Sequence, residues 1–265
     1  MGVVGDLLAL GQDRMAVLVL ALARVAGLFI MGPIFASRAA PLRVRAALAF
    51  FMTLAVMPVL GPTPPALGAG GGVAIVLGML GFEAMIGFVI GLVAQLTFGA
   101  VQMAGQLAGI QMGIGLANLI DPQTQEHVTS LAQWQNLMAL LVFLSIDGHH
   151  VLIRAVADSF TVLPLGGGIP AAGGFGMVME LAGALFVVAL KIAAPVLVLL
   201  LLVNAAMGVL AKLIPQLNVF IVGFPLNVAA GLFVLAASQP FTVRLLETSF
   251  GELQTSLAHL VRALG

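Results

Sequence analysis

The sequence predicts an all-α, polytopic membrane protein of long kinked helical hairpins, with about six hydrophobic helices and an amphipathic C-terminal helix. Three observations carry this. Of 265 residues, 62% are hydrophobic and only 8% charged, with a mean hydropathy of +1.20, whereas soluble domains are about 25% charged. The apolar residues gather in runs of about 20, the length a helix needs to cross a hydrocarbon core. From Pro240 onward the pattern changes, and Leu246, Phe250, Leu253, Leu257, Leu260 and Leu264 recur at spacings of three or four, the period of one helix face. That face needs a membrane interface or a partner.

Composition also excludes functions. Ten Lys+Arg balance ten Asp+Glu, so no net field attracts nucleic acid. The absence of cysteine removes thiol catalysis, disulfides and thiolate metal sites. The first apolar run is longer than the roughly 7 to 15 residues of a signal peptide's apolar region, so the N-terminus is expected to stay in the mature protein. The chain, 1–265, reads as one membrane unit.

The first predicted span, 15–35, ends at Gly32-Pro33, and the second, 42–59, starts after Pro41 and stops near Pro58, because proline suits helix starts and disrupts interiors. Their connection carries Arg38, Arg43 and Arg45, which the positive-inside rule puts in the cytoplasm, with the N-terminus outside. An uncharged Pro/Gly-rich link over 61–72 reads as a turn on the opposite side. The third stretch, 73–117, has Glu83 as its one ionisable group. Up to residue 101 alone it is about 43 Å long as a helix, so it tilts, breaks or leaves the bilayer. A polar patch over 121–129 precedes a fourth stretch, 131–146. The cluster Asp147-Gly148-His149-His150 then separates it from a less apolar helix reaching 163. After a second uncharged link, 166–176, come the two arms of a hairpin, 177–203 and 219–237, around a polar turn at 212–218. Lys191 costs about 3 kcal/mol at a helix centre, but more than ten surrounding Leu, Ile, Val and Phe offset it.

Several residues carry competing meanings. Gly87 and Gly91, and the stripe Gly105, Gly109, Gly113, have the four-residue spacing that lets helix backbones approach closely in an apolar medium. A phosphate-cradling loop at 109–115 lacks the following Lys-Ser/Thr pair and the preceding strand. The glycine run before Asp121-Pro122 also fits a bent, mobile segment that gates a pore. Arg24, Glu83 and Lys191 lie inside apolar runs, as a proton or ion relay, as mutual or intersubunit pairs, or as snorkelling ends; their unrelated positions favour pairing. His149 and His150 are neighbours, about 100° apart on a helix, which argues against a shared metal and for a polar helix end. Pro195 with Asn204, and Pro225, mark bends in the two hairpin arms. No arrangement of nucleophile and base is recognisable, and no cofactor or metal is expected.

The segments ARVAGLFIMGPIFASRAAPLRVRAALAF (23–50), GIQMGIGLANLIDPQTQ (109–125) and LIPQLNVFIVGFPLNVAAGL (213–232) resemble, in order and spacing, the signature regions of the FliR family of flagellar type III export subunits. The wording Val-Gly-Phe-Pro-Leu after the Pro-Gln turn resembles the flagellar branch more than the virulence-secretion one. The resemblance implies a non-enzymatic subunit of the bacterial cytoplasmic membrane, in the flagellar basal body. It implies FliP-like and FliQ-like partners in one hetero-oligomeric gate, FlhB-like and FlhA-like proteins alongside, membrane lipid around them and unfolded flagellar proteins as cargo. It divides the chain into a FliP-like part, 1–175, and a FliQ-like hairpin and tail, 176–265. It places a pore plug at 109–121, with Ile110, Met112, Ile114 and Leu116 as an apolar seal, Gln111 between them, Gly113 and Gly115 as hinges, and Asp121-Pro122 at the end. Pro215, Gln216, Asn218, Gly223 and Pro225 fall on the hairpin turn and the packing beyond it. The rival reading is a small-solute secondary transporter with Arg24, Glu83 and Lys191 lining a midplane site.

Overall fold

In the computed structural model, which describes residues 2–36, 40–60, 73–114, 129–166, 173–216 and 218–264, every regular element among those residues is helical. The helices are α1 (Gly2–Met31), α2 (Leu42–Val56), α3 (Val73–Met112), α4 (Ser130–Ser145), α5 (Gly148–Val162), α6 (Gly173–Leu213), α7 (Val219–Gly251) and α8 (Leu253–Leu264). Pro41 precedes α2, and a 3₁₀ turn, Met57–Val59, follows it at Pro58. Thr129 caps α4, its hydroxyl accepting from the Ala132 N–H at 3.2 Å, which satisfies one of the orphan donors of a helix start. Asp147, at φ 58°, turns the chain between α4 and α5, a conformation Asp tolerates better than most residues.

Two expectations about length are corrected. Four described segments are long and apolar enough to cross a membrane: Arg14–Met31, Val73–Met112, Gly176–Leu213 and Ile221–Ala263. α4 and α5 make a fifth if that pair, bent by 66°, counts as one broken span. The sequence suggests six. The difference lies in α2, whose 15 residues reach only about 22 Å, short of an approximately 30 Å core. Second, the last arm does not stop near 237. α7 passes through Pro225 and Pro240 to Gly251. Side chains around Pro240 bond neighbouring carbonyls: Ser238 Oγ and Gln239 Nε2 both donate to Leu235 O, at 3.0 and 3.2 Å.

The chain forms two compact units that interleave in sequence. One comprises 1–96, 147–181 and 252–265, the other 97–146 and 182–251. The division at 175/176 concerns likeness to other subunits, and compactness cuts the chain elsewhere.

In the first unit α1 lies on α3 with almost no side-chain thickness between them. A Cβ at Gly87 would fall on the Arg24 carbonyl oxygen, and one at Gly27 on that of Ala84. A Cβ at Gly91 would stand 2.9 Å from the Gly32 nitrogen. The pair Gly87 and Gly91 thus packs α3 on α1 within the chain. Gly87→Ala is expected to push the helices apart and cost about 1 to 3 kcal/mol by overpacking, read as a lower unfolding midpoint in detergent; an unchanged midpoint would refute the contact. α8 packs on α5, and its apolar stripe is covered there, with Leu253, Leu257 and Leu260 all buried. Of the membrane interface and the partner that the stripe allows, α5 of the same chain supplies the partner for 253–260, with Leu152 and Val156 buried on it.

In the second unit Phe98, Phe143 and Phe250 form a ring cluster with centroids 5.0 to 5.5 Å apart. Gly105 approaches the start of α4 so closely that a Cβ there would stand 2.5 Å from Ala132 Cα. Asn227 Nδ2 donates to Asn204 Oδ1 at 2.9 Å, joining α7 to α6, a polar contact of the kind that holds helices together in apolar surroundings.

Candidate functional site

The first unit holds a buried polar network where an apolar core would be expected. Arg24 on α1 and Glu83 on α3 are both wholly buried, and Arg24 Nε and Nη2 each stand 2.6 Å from Glu83 Oε2. The remaining donors are used as well: Nη1 reaches Ser159 Oγ on α5 at 3.0 Å, and Nη2 reaches the Leu163 carbonyl at 3.0 Å. Glu83 Oε1 accepts from the Gly166 N–H at 3.1 Å. Phe160 lies 4.2 Å beneath the guanidinium carbon, a cation–π contact. Ser159 donates its own proton to the Val156 carbonyl at 2.6 Å, so its oxygen is free to accept from Arg24.

Chemically this is a clamp. Both carboxylate oxygens are occupied, the planar guanidinium fork is matched to acceptors on different elements, and four segments meet on one residue. Of the three intramembrane charges, Arg24 and Glu83 therefore pair with each other. Lys191 belongs to the second unit, where it is exposed beside Pro195, Val198, Leu202 and Phe241 in an otherwise apolar groove. Pro195 supplies no N–H to the Lys191 carbonyl one turn before it.

The second unit holds the described part of the segment expected to plug a pore. Gly109, Ile110, Gln111 and Met112 are the last residues of α3 and not a loop. Gly113, at φ 86°, ends the helix, its N–H donating to the Ile110 carbonyl at 2.9 Å. This is the left-handed helix end that glycine favours. Ile114 lies in the same turn, and Gly115, Leu116, Asp121 and Pro122 lie outside the described residues, as do Arg38 and the link 61–72. Helical geometry splits the expected apolar seal: Ile110 is 63% exposed, whereas Met112 is fully buried. Met112 packs with Ala108, Leu131, Val196, Leu200 and Leu235, and a Cβ at Gly231 would stand 2.6 Å from its Cγ. Gly109 meets the side chain of Thr129, 3.0 Å from the site of a Cβ.

The hairpin residues close this unit's other end. Pro215 and Gln216 lie in the turn after α6. Asn218 starts α7, its carbonyl accepting from Ile221 and Val222 at 3.1 and 3.3 Å. Gly223 is buried in α7 and Pro225, two residues on, is exposed.

Ser159 and Gly231 escape sequence reasoning. Ser159 lies between Asp158 and Thr161 in a mixed stretch, so nothing set it apart from a solvated helix face. Gly231 sits mid-helix, where glycine costs about 1 kcal/mol, and that cost was the hint that something packs against it. The histidine argument is corrected in its geometry. Although adjacent, His149 and His150 have ring centroids 4.1 Å apart, and with Asp147 their donor atoms lie within 4.8 Å of one another. His150 Nδ1 and Asp147 Oδ1 bond each other at 3.1 Å, with their side chains 60% and 72% exposed. The cluster remains a polar helix start.

Long apolar helices packed around a buried charge pair and a second, apolar core define an all-α polytopic membrane protein. The chain belongs to the bacterial export proteins, family 1, whose match covers residues 15–253. It is 34% identical to the flagellar biosynthetic protein FliR of Escherichia coli K12 over 92% of each chain. It is likewise 34% identical to that of Bacillus subtilis 168 over 84% of this chain and 86% of the relative. The FliR of Aquifex aeolicus VF5 is 29% identical over 86% and 87%.

Proposed function

We propose that this chain is a core subunit of the flagellar export gate, forming with FliP-like and FliQ-like subunits the channel through which unfolded flagellar proteins leave the cell. FlhB-like and FlhA-like proteins stand alongside, in the basal body of the bacterial cytoplasmic membrane. The chain is structural and gating, not enzymatic, and the energy for export enters elsewhere. The observation that carries the reading is the end of α3: a helix locked by Met112 into the core at Gly231 gives way, at a left-handed glycine, to the segment 115–128. A fixed base with a glycine at its edge is what a movable stopper requires. Apolar side chains left in the open on α6 and α7, among them Phe186, Leu201, Ile221 and Phe233, support cover by further helices or lipid.

Against the transporter reading, Arg24 and Glu83 satisfy each other, which leaves Lys191 alone of its three residues open to a solute. Purification from membranes separates the two. A gate subunit is expected to elute as a stable hetero-oligomer with two other small apolar proteins. A chain that elutes alone and moves a solute into liposomes would overturn the proposal.

A further inference from the structure

A groove of about 270 Å³ runs between α5 and α8 in the first unit, lined by Arg154, Asp158 and Val162 from α5 and by Leu257, Val261 and Arg262 from α8. It exists because α8 buries its leucine stripe on α5 and leaves the edge of that contact open. Arg154 and Arg262 reach it from different helices, and neither has a carboxylate within 4 Å among the described residues, where the ion pairs are Arg24–Glu83 and His150–Asp147. Asp158, one turn beyond Arg154, leaves the groove with one net positive charge. Two guanidinium forks facing one cleft suit an anion with several acceptor oxygens, phosphate above all. An inorganic ion, however, has no use for the exposed apolar side chain of Val162 at the groove's edge. A phosphodiester carrying acyl chains uses both, and a protein with four or five candidate spans among its described residues meets such molecules continuously.

We infer that this groove binds the phosphate headgroup of an anionic phospholipid, with Arg154 and Arg262 as ligands and the first acyl carbons against Val162, which is 41% exposed. The bland alternative is a solvated charged face, with Arg154 and Asp158 compensating one turn apart and Arg262 complementing the end of α8. The two differ in the role of Asp158. In a lipid site it repels the phosphate; on a solvated face it is neutral toward lipid.

The test is native mass spectrometry of the full chain, purified with whatever subunits accompany it. The probes are phosphatidylglycerol, zwitterionic phosphatidylcholine and inorganic phosphate. Phosphatidylglycerol is expected to bind, with phosphatidylcholine binding at least about fivefold more weakly. Arg154→Gln or Arg262→Gln is expected to weaken phosphatidylglycerol binding about fivefold each, the worth of one basic residue near an anionic headgroup, and the double variant about 25-fold. Asp158→Asn is expected to tighten it. All these side chains are exposed, so the unfolding midpoint stays put and serves as the folding check. Equal retention of the two lipids, full competition by inorganic phosphate at the lipid's own concentration, or no response to Asp158→Asn and to the arginine variants would each overturn the assignment.

Discussion

Glu83→Ala is expected to destabilise the chain by about 3 to 5 kcal/mol, the cost of leaving one member of a buried ion pair without its partner. Arg24 is wholly buried, and removing the carboxylate leaves its guanidinium with two neutral acceptors, Ser159 Oγ and the Leu163 carbonyl. Gly166 would lose the acceptor for its N–H as well. Arg24→Ala should be comparably damaging, through an unpaired carboxylate plus the lost packing on Phe160. The instructive comparison is the double replacement Arg24→Met with Glu83→Met. Apolar pairs of similar volume often match or exceed a buried ion pair in stability, so the double variant is expected to recover most of what either alanine variant loses. Membrane abundance and the unfolding midpoint in detergent measure both effects. A relay of protons or ions predicts the reverse order of importance: the double variant would be stable and yet inactive in export. If it is stable and supports motility, the pair is a clamp.

That pairing shows where sequence reasoning stops. Each partner was visible alone as a charge within an apolar run, but their separation of 59 residues carries no helical periodicity, and only packing joins them. The helices themselves were legible because each depends on local chemistry. Pro41 opens α2, Thr129 caps α4, Asp147 breaks α4 from α5, and the 3.6-residue period of 246–264 marks a face. What that face meets was not legible: Leu257 and Leu260 are covered by α5, which lies about 100 residues earlier in the chain. Pro240 misled for a related reason. In water it would end a helix, but long apolar helices tolerate proline, and α7 continues. The stripe Gly105, Gly109, Gly113 was legible as small residues and misleading as one device. The first two let α4 come close, and only the third has a backbone angle that needs glycine.

Gly113→Val is expected to abolish or severely reduce flagellar export while the chain still assembles in the membrane. At φ 86° a side chain meets its own backbone carbonyl, at about 1 to 2 kcal/mol for an ordinary residue, and a β-branched one fits worse. Valine at this position favours another turn of α3 over the reversal that ends it. Because Met112 is held in the core at Gly231, the extra turn cannot be absorbed backward along the helix. Under the gating role proposed for this end of α3, the outcome is either blocked export or a leaky membrane. Swarming assays read the first and ion leakage across the membrane reads the second. Asparagine separates backbone from bulk, because it is close to valine in volume yet visits the left-handed region far more readily. Gly113→Asn is therefore expected to stay near the parent, Gly113→Ala to fall between, and Gly113→Val to be worst. If activity instead declines with side-chain volume, so that asparagine and valine fail together, the requirement at 113 is space and not a hinge.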